Sequence, residues 1–193
     1  MKLLDLTHYE EAVLPRLHSI YRLQRTRRSP STVSIGPLRL PPTGLLTGRF
    51  DLPDVPVGYF GESPQTAAYE TVARREAERL SIADLRQRSL LWVQLTQPVR
   101  LLDLRPHAAS WPVLMSLRLA QMQELALDAR RQGFDGVLYR SAQHYGHDCC
   151  ALFGAALEVV RRVESQPLVE ARTGALHRLV ADVQRGSRLP LTP

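Results

Sequence analysis

The stretch Val57-Gly58-Tyr59-Phe60-Gly61-Glu62-Ser63-Pro64-Gln65-Thr66-Ala67-Ala68-Tyr69-Glu70 switches the chain from a strand to a helix. Val57 to Phe60 reads as a short strand. Ser63 followed by Pro64 is a helix start, with a hydroxyl to cap the first free N–H groups and a ring already set at helical φ. The spacing predicts a helix over 64–80, with Ala67, Ala68, Val72 and Ala73 facing inward. Outward from this stretch, Ile20 to Leu23 reads as a strand and 26–47 as a long Pro- and Gly-rich irregular segment. Loops of that length usually have a function, and this one is expected to border a cleft. Leu90 to Leu95 and Val99 to Leu104 read as strands, forming either a hairpin or two sheet neighbours. Ser110 is expected to cap a helix over 111–132, stopped by Gly133. Gly136 to Tyr139 and Cys149 to Phe153 read as strands, 156–163 is partly β-branched, and 168–183 has helical spacing. Short strands mixed with a few helices, without regular alternation, give an α+β fold rather than a doubly wound sheet.

The length of 193 residues suits a single domain spanning 1–193, with a C-terminal helical extension over about 165–185. A content of 44% hydrophobic and 23% charged residues excludes a disordered, collagen-like or coiled-coil chain. The longest apolar run, 149–157, is too short for a membrane span, and no secretory signal is legible at Met1. Among 25 basic residues only Lys2 is a lysine, a bias that fits GC-rich coding. The charge is uneven: residues 1–50 carry eight bases and three acids, while 51–158 carry eleven and thirteen. The bases are scattered, with no RNA-recognition, KH or OB signature. An anionic small molecule or an acidic protein therefore fits at least as well as nucleic acid. Cys149 and Cys150 are adjacent, point to opposite faces of a strand and cannot pair without strain. His144 and His147 beside Cys149 have a metal-like look, but the reading taken is a polar loop entering a buried strand. No metal site is expected, and a reducing, cytoplasmic setting follows.

Three features carry chemistry. Thr47-Gly48-Arg49-Phe50-Asp51 places an Arg after a Gly, where the backbone can approach a phosphate, although most Gly-Arg pairs are ordinary turns. Glu70 lies between Ala67 and Ala73 on a side of small residues with room for a ligand. Its other reading is an exposed Glu paired with Arg74. Ser141, in Tyr139-Arg140-Ser141-Ala142-Gln143, stands at the exit of an apolar strand, where ligand groups collect and strand-end caps also occur. No Gly-x-Ser-x-Gly elbow surrounds it, so it is not read as an acyl-transfer nucleophile.

In order and spacing these elements resemble the RES domain, named for its Arg, Glu and Ser. The matching elements are Gly48-Arg49-Phe50, Pro56-Val57-Gly58-Tyr59, Glu62-Ser63 through Glu70, Gly133 through Ser141, and Leu152-Phe153. The resemblance covers about 18–155. It implies that Arg49, Glu70 and Ser141 are the catalytic residues, and that Arg22, Arg49, Tyr59 and Ser141 bind substrate. Phe50, Asp51 and Gln143 depart from the family's Trp, Asn and Arg. The family implies an ADP-ribosyltransferase-like fold, a split or bent sheet with flanking helices. It also implies a bacterial toxin that degrades NAD+ by phosphorolysis or hydrolysis of the nicotinamide–ribose bond, as a glycosyltransferase or hydrolase. The expected partner is a helix-turn-helix antitoxin of the Xre type. NAD+ is then a substrate and not a cofactor, and inorganic phosphate is a possible co-substrate.

The residues agree with that chemistry. Arg22 and Arg49 suit a pyrophosphate. Nicotinamide leaves without a general acid, so the difficulty lies in the oxocarbenium-like ribosyl centre, which the Glu70 carboxylate can stabilise. Ser141 suits a ribose hydroxyl or the nicotinamide amide, and Tyr59 a ring. Two alternatives stand beside this reading: protein ADP-ribosylation by the same site, and a basic binding module without catalysis.

Overall fold

A computed structural model describes residues 9–115 and 118–193. In it the Val57–Gly61 strand lies near the middle of a curled eight-stranded sheet. In chain order the strands are β1 (Glu10–Leu14), β2 (Ser19–Arg25), β3 (Val33–Ile35), β4 (Leu38–Leu40), β5 (Val57–Gly61), β6 (Leu80–Ser81), β7 (Arg88–Leu95), β8 (Val99–Asp103), β9 (Gly136–Arg140), β10 (Asp148–Phe153), β11 (Val160–Pro167) and β12 (Leu191–Thr192). The helices are α1 (Pro64–Tyr69), α2 (Ile82–Leu85), α3 (Leu119–Arg131) and α4 (Arg178–Ser187). The main sheet runs β1-β8-β9-β10-β5-β2-β7-β11. The fold is α+β, with helices flanking a bent sheet.

The bend has a local cause. β5 pairs with β10 over five residues, but with β2 only through Tyr21 and Gly61. At this seam Arg22 Nη1 donates to the Tyr59 carbonyl at 2.9 Å, taking a place the ladder leaves open. The two sheet halves fold over a shared core in which Ile20, Leu91 and Val93 meet Leu101, Leu138 and Leu152. Alternation along the strands supplies two layers at once. Val137, Tyr139 and Cys149 face the α3 side, while Leu138 and Cys150 face the shared core. Both cysteines are buried and free.

α3 buries Met122, Leu125, Ala126 and Ala129, an i, i+3, i+4, i+7 stripe. It closes on Gly133 at φ +82°, with Gly133 N–H on Arg130 O and Phe134 N–H on Ala129 O. That pair of bonds is a Schellman motif.

Several expectations need correction. α1 ends at Tyr69 and does not reach Leu80. The N–H groups of Thr71, Val72 and Ala73 all turn onto the Ala68 carbonyl, and Thr71 Oγ1 takes the Ala67 carbonyl. This end brings Val72 and Ala73 against a further buried cluster that includes Leu23, Leu80 and Leu179. Residues 26–47 are not wholly irregular: β3 and β4 form a hairpin there. Gln24 fixes it by bonding Pro37 O and Arg39 N, and Leu38 and Leu40 are buried. The strands at 90–95 and 99–104 are neither a hairpin nor neighbours, because β7 and β8 belong to opposite halves of the bent sheet. Ser110 does not cap α3; a 3-10 turn over Pro112–Met115 intervenes, and α3 starts at Leu119. The expected helix over 111–132 also crosses 116–117, which lie outside the described residues. At the C-terminus the 165–185 extension divides. β11 runs to Pro167, a turn bridges Val169 and Leu176, and α4 occupies 178–187, capped by the His177 side chain. No helix among the described residues is long and apolar enough to cross a membrane.

Candidate active site

The seam between β2 and β5 opens into a cleft of about 1150 Å³. Arg22 enters it from β2, Tyr59 from β5, Glu70 from the end of α1, and Arg49 from the loop ahead of β5. Its lining also includes Thr26–Ser29, Thr32 and Arg39–Pro42, so the 26–47 segment borders it.

The Arg49 loop is a tight construction. Asp51 accepts the Gly48 N–H at 2.6 Å and the Tyr59 hydroxyl at 2.8 Å, while the Tyr59 oxygen accepts the Phe50 N–H at 2.8 Å. A Cβ on Gly48 would stand 2.4 Å from the Tyr59 hydroxyl oxygen, so only glycine fits there. Burial, and then the Asp51 carboxylate, push the Tyr59 phenol well above its ordinary value, which keeps it a hydrogen-bond donor. Phe50 is fully buried, packed tilted on Tyr139. The Arg49 guanidinium lies 4.7 Å over the Tyr139 ring and donates to Leu114 O at 2.7 Å, and is itself almost fully buried. Guanidinium carries five N–H donors, so several remain for a ligand.

Glu70 does not pair with Arg74, which bonds Glu76 instead. Its Oε1 accepts the Ser141 hydroxyl at 2.5 Å. Ser141 Oγ in turn accepts the N–H groups of Gln143 at 3.1 Å and His144 at 2.7 Å. A hydroxyl has one donor and two acceptor positions, and all three are filled here. Ser141 is fully buried behind Glu70 and does not itself line the cleft. In this arrangement Ser141 acts by holding the carboxylate. Arg22 is placed differently. Burial lowers its guanidinium to about 10, still cationic at neutral pH, and its buried Nε has no partner among the described residues.

The loop that carries Ser141 is held by residues that the sequence reading left unused. His144 stacks on Tyr69 at 4.4 Å and on His147 at 3.8 Å, and its Nδ1 meets Thr66 Oγ1 at 3.1 Å. His147 Nδ1 bonds Glu62 at 2.6 Å. Gln143 accepts the Arg75 N–H. The spacing of Glu62 and Thr66 ahead of Glu70, matched to His144 and His147 after Ser141, was the signal for this clamp. Among the described residues no group of His, Cys, Asp or Glu is arranged to hold a metal.

Burial, and then the neighbouring His147, lower the His144 imidazole below its ordinary 6.5. The unfolded chain therefore binds this proton more readily than the folded one. Stability gained from the clamp is complete above 6.5 and declines as pH falls through 6.5 toward the lowered folded value. An NMR titration should place the His144 midpoint below 6.5. A midpoint above it would show that the Glu62 and Glu70 carboxylates outweigh burial.

The model of the RES domain matches residues 19–177. The chain belongs to the RES-domain family. A solved structure shares the fold: a chain in the crystal structure of the M. tuberculosis MbcT–MbcA toxin–antitoxin complex. It superposes with a TM-score of 0.56 at 15% sequence identity, covering 79% of this chain and 85% of that one. Comparison with curated protein sequences yields no match. The RES-domain match extends past the 18–155 span of the resemblance and takes in β11, which completes the sheet, while α4 falls outside it.

Proposed function

We propose that this RES-domain protein is a toxin that cleaves the nicotinamide–ribose bond of NAD+, and that a cognate antitoxin of the helix-turn-helix, Xre type neutralises it. The observation that carries this reading is a carboxylate, Glu70, fixed by Ser141 in a cleft that also presents Arg22 and Arg49. The RES family and the fold shared with a chain of a toxin–antitoxin complex support it.

Arg22 and Arg49 take the pyrophosphate through charge-assisted bonds. The C1′–N1 bond breaks and its electron pair passes to the nicotinamide nitrogen, which becomes neutral. Positive charge then develops at C1′ and the ring oxygen, where the Glu70 carboxylate stabilises it. The oxygen of water or phosphate bonds C1′ and gives up its proton to solvent. Because Ser141 holds one carboxylate oxygen, Glu70 need not reorient as that charge develops.

Purified protein incubated with NAD+ tests the reading. Free ADP-ribose indicates hydrolysis, and ADP-ribose 1″-phosphate formed only with added phosphate indicates phosphorolysis. Label fixed on protein would favour ADP-ribosyl transfer. NAD+ left intact under all conditions would remove the reading. In cells, expression should deplete NAD+ and arrest growth, and a co-expressed antitoxin should relieve both.

Arg49→Lys keeps the charge but not the planar fork, nor the stacking on Tyr139. Loss of one charged hydrogen bond costs about 1.5–3 kcal/mol, so KM for NAD+ should rise roughly ten- to a hundredfold. An unchanged KM would make Arg49 a structural residue.

A further inference from the structure

The cleft is longer than the reacting centre requires. Among the described residues nine arginines line it against two carboxylates, Asp51 and Glu70, and both acids are engaged at the Arg49 end. Beyond Arg22 the cleft continues along β2 into an arm bearing Arg25, Arg27, Arg28, Arg39 and Arg86. Backbone and amide groups fix parts of this arm. Arg25 Nη1 donates to Gln87 Oε1 at 2.8 Å, and Arg39 Nη1 donates to the carbonyls of Arg25 and Thr26. Among the described residues none of the five forms an ion pair, whereas their neighbour Arg88 is paired with Asp84 at 2.7 Å. Unneutralised cations on a concave wall focus a positive potential and draw in anions. The partnerless, buried Nε of Arg22 stands where the arm joins the reacting end.

We propose that this arm binds a phosphate on the far ribose of the dinucleotide, so that the preferred substrate is the 2′-phosphorylated form, NADP+. The inference rests on the NAD-cleaving reading above. The backbone positions of Arg22 and Arg25 are about 10 Å apart, at about 3.4 Å per strand residue. With the pyrophosphate at Arg22 and Arg49, the adenine-side ribose extends along β2 toward Arg25 and its neighbours. NADP+ differs from NAD+ only by a phosphate on that ribose, and arginine is the residue that accommodates such a 2′-phosphate. The guanidinium fork binds phosphate oxygens two at a time. The bond cleaved and the leaving group are the same for both dinucleotides, so the arm changes affinity and not chemistry.

Calorimetric titration at about 0.15 M salt, where exposed charges are largely screened, tests this on full-length Glu70→Gln protein, whose slowed turnover preserves the ligand during the titration. NADP+ should bind at least tenfold more tightly than NAD+. The triple variant R27A/R28A/R86A, made in the same background at three exposed positions, should lower that ratio at least tenfold. Equal affinities for the two dinucleotides overturn the proposal, as does a preference that survives the triple variant. Tighter binding of a single-stranded oligonucleotide than of NADP+ overturns it in favour of a nucleic-acid groove. Consumption of NAD+ by the unmodified protein, measured alongside, decides the cleavage reading independently. Turnover without a 2′-phosphate preference removes this inference alone.

Discussion

Glu70→Gln should reduce NAD+ consumption by about a hundredfold to a thousandfold while leaving the fold in place. Removing one preorganised electrostatic contact to a transition state costs on the order of 2.7–4 kcal/mol. The substitution is nearly isosteric, and the Gln carbonyl can still accept the Ser141 hydroxyl, which the backbone N–H groups of Gln143 and His144 hold in place. What disappears is the negative charge that the proposed mechanism sets against the ribosyl cation. Residue 70 is also the C-cap of α1, where its backbone N–H bonds Ala68 O and Thr66 O, and neither bond depends on the side chain. Turnover and thermal melting measured together check the prediction. A melting point near that of the parent with activity lost is the expected pair. Activity within threefold of the parent would mean that the cation is stabilised elsewhere.

Gly136→Ala should be strongly destabilising. A Cβ at this position would stand 2.1 Å from the Ala151 carbonyl oxygen and 3.0 Å from a Leu101 methyl. The oxygen belongs to the backbone of a neighbouring central strand and cannot rotate away. Gly136 pairs with Leu152 on one side and Leu101 on the other, so relief requires displacing β10 or β8 from β9. Overpacking of this kind costs about 3 kcal/mol or more, a large share of the about 5–15 kcal/mol that stabilises a domain. Urea unfolding should show a midpoint lowered accordingly, or no cooperative transition. A midpoint unchanged within error would show that the central strands yield without cost. Strand displacement here also moves Ser141, five residues on, so activity should fall with stability.

Local chemistry was legible in the sequence wherever it alone decides the structure. The Ser63-Pro64 helix start, the Gly133 stop and the alternation through 137–139 and 149–153 are each set by neighbours in the chain, and each appears in the fold. The length of α1 was not legible, because helical spacing continues past Tyr69 and only packing against Leu80 and Leu179 turns the chain there. Strand order was hidden for the same reason: nothing within Thr96-Gln97-Pro98 reveals that the sheet bends between β7 and β8. The order of family motifs pointed to Arg22, Arg49, Tyr59 and Glu70, which line one cleft, and to Ser141, which lies buried behind Glu70. Single residues could not distinguish a cleft-lining Glu70 from a surface ion pair with Arg74. The partner that decides, Ser141, is 71 positions away. The position of Ser141 behind Glu70 depends on two backbone N–H groups, which carry no side-chain signal. The binding of Asp51 to Tyr59 was hidden as well, since it needs β5 to lie beneath the Arg49 loop.

The single-pair seam between β2 and β5 also orders events during synthesis. β5 has little support from β2, so its main partner is β10, which ends at Phe153. Arg22, Arg49 and Glu70 therefore leave the ribosome long before the strand that steadies them. At about 5–20 residues per second, the roughly 90 residues between the two strands take roughly 5–18 s to emerge. Through that interval the nascent chain holds its charged groups without a finished cleft. The groups that line the cleft are thus made early, and the cleft itself is completed only when β10 pairs with β5.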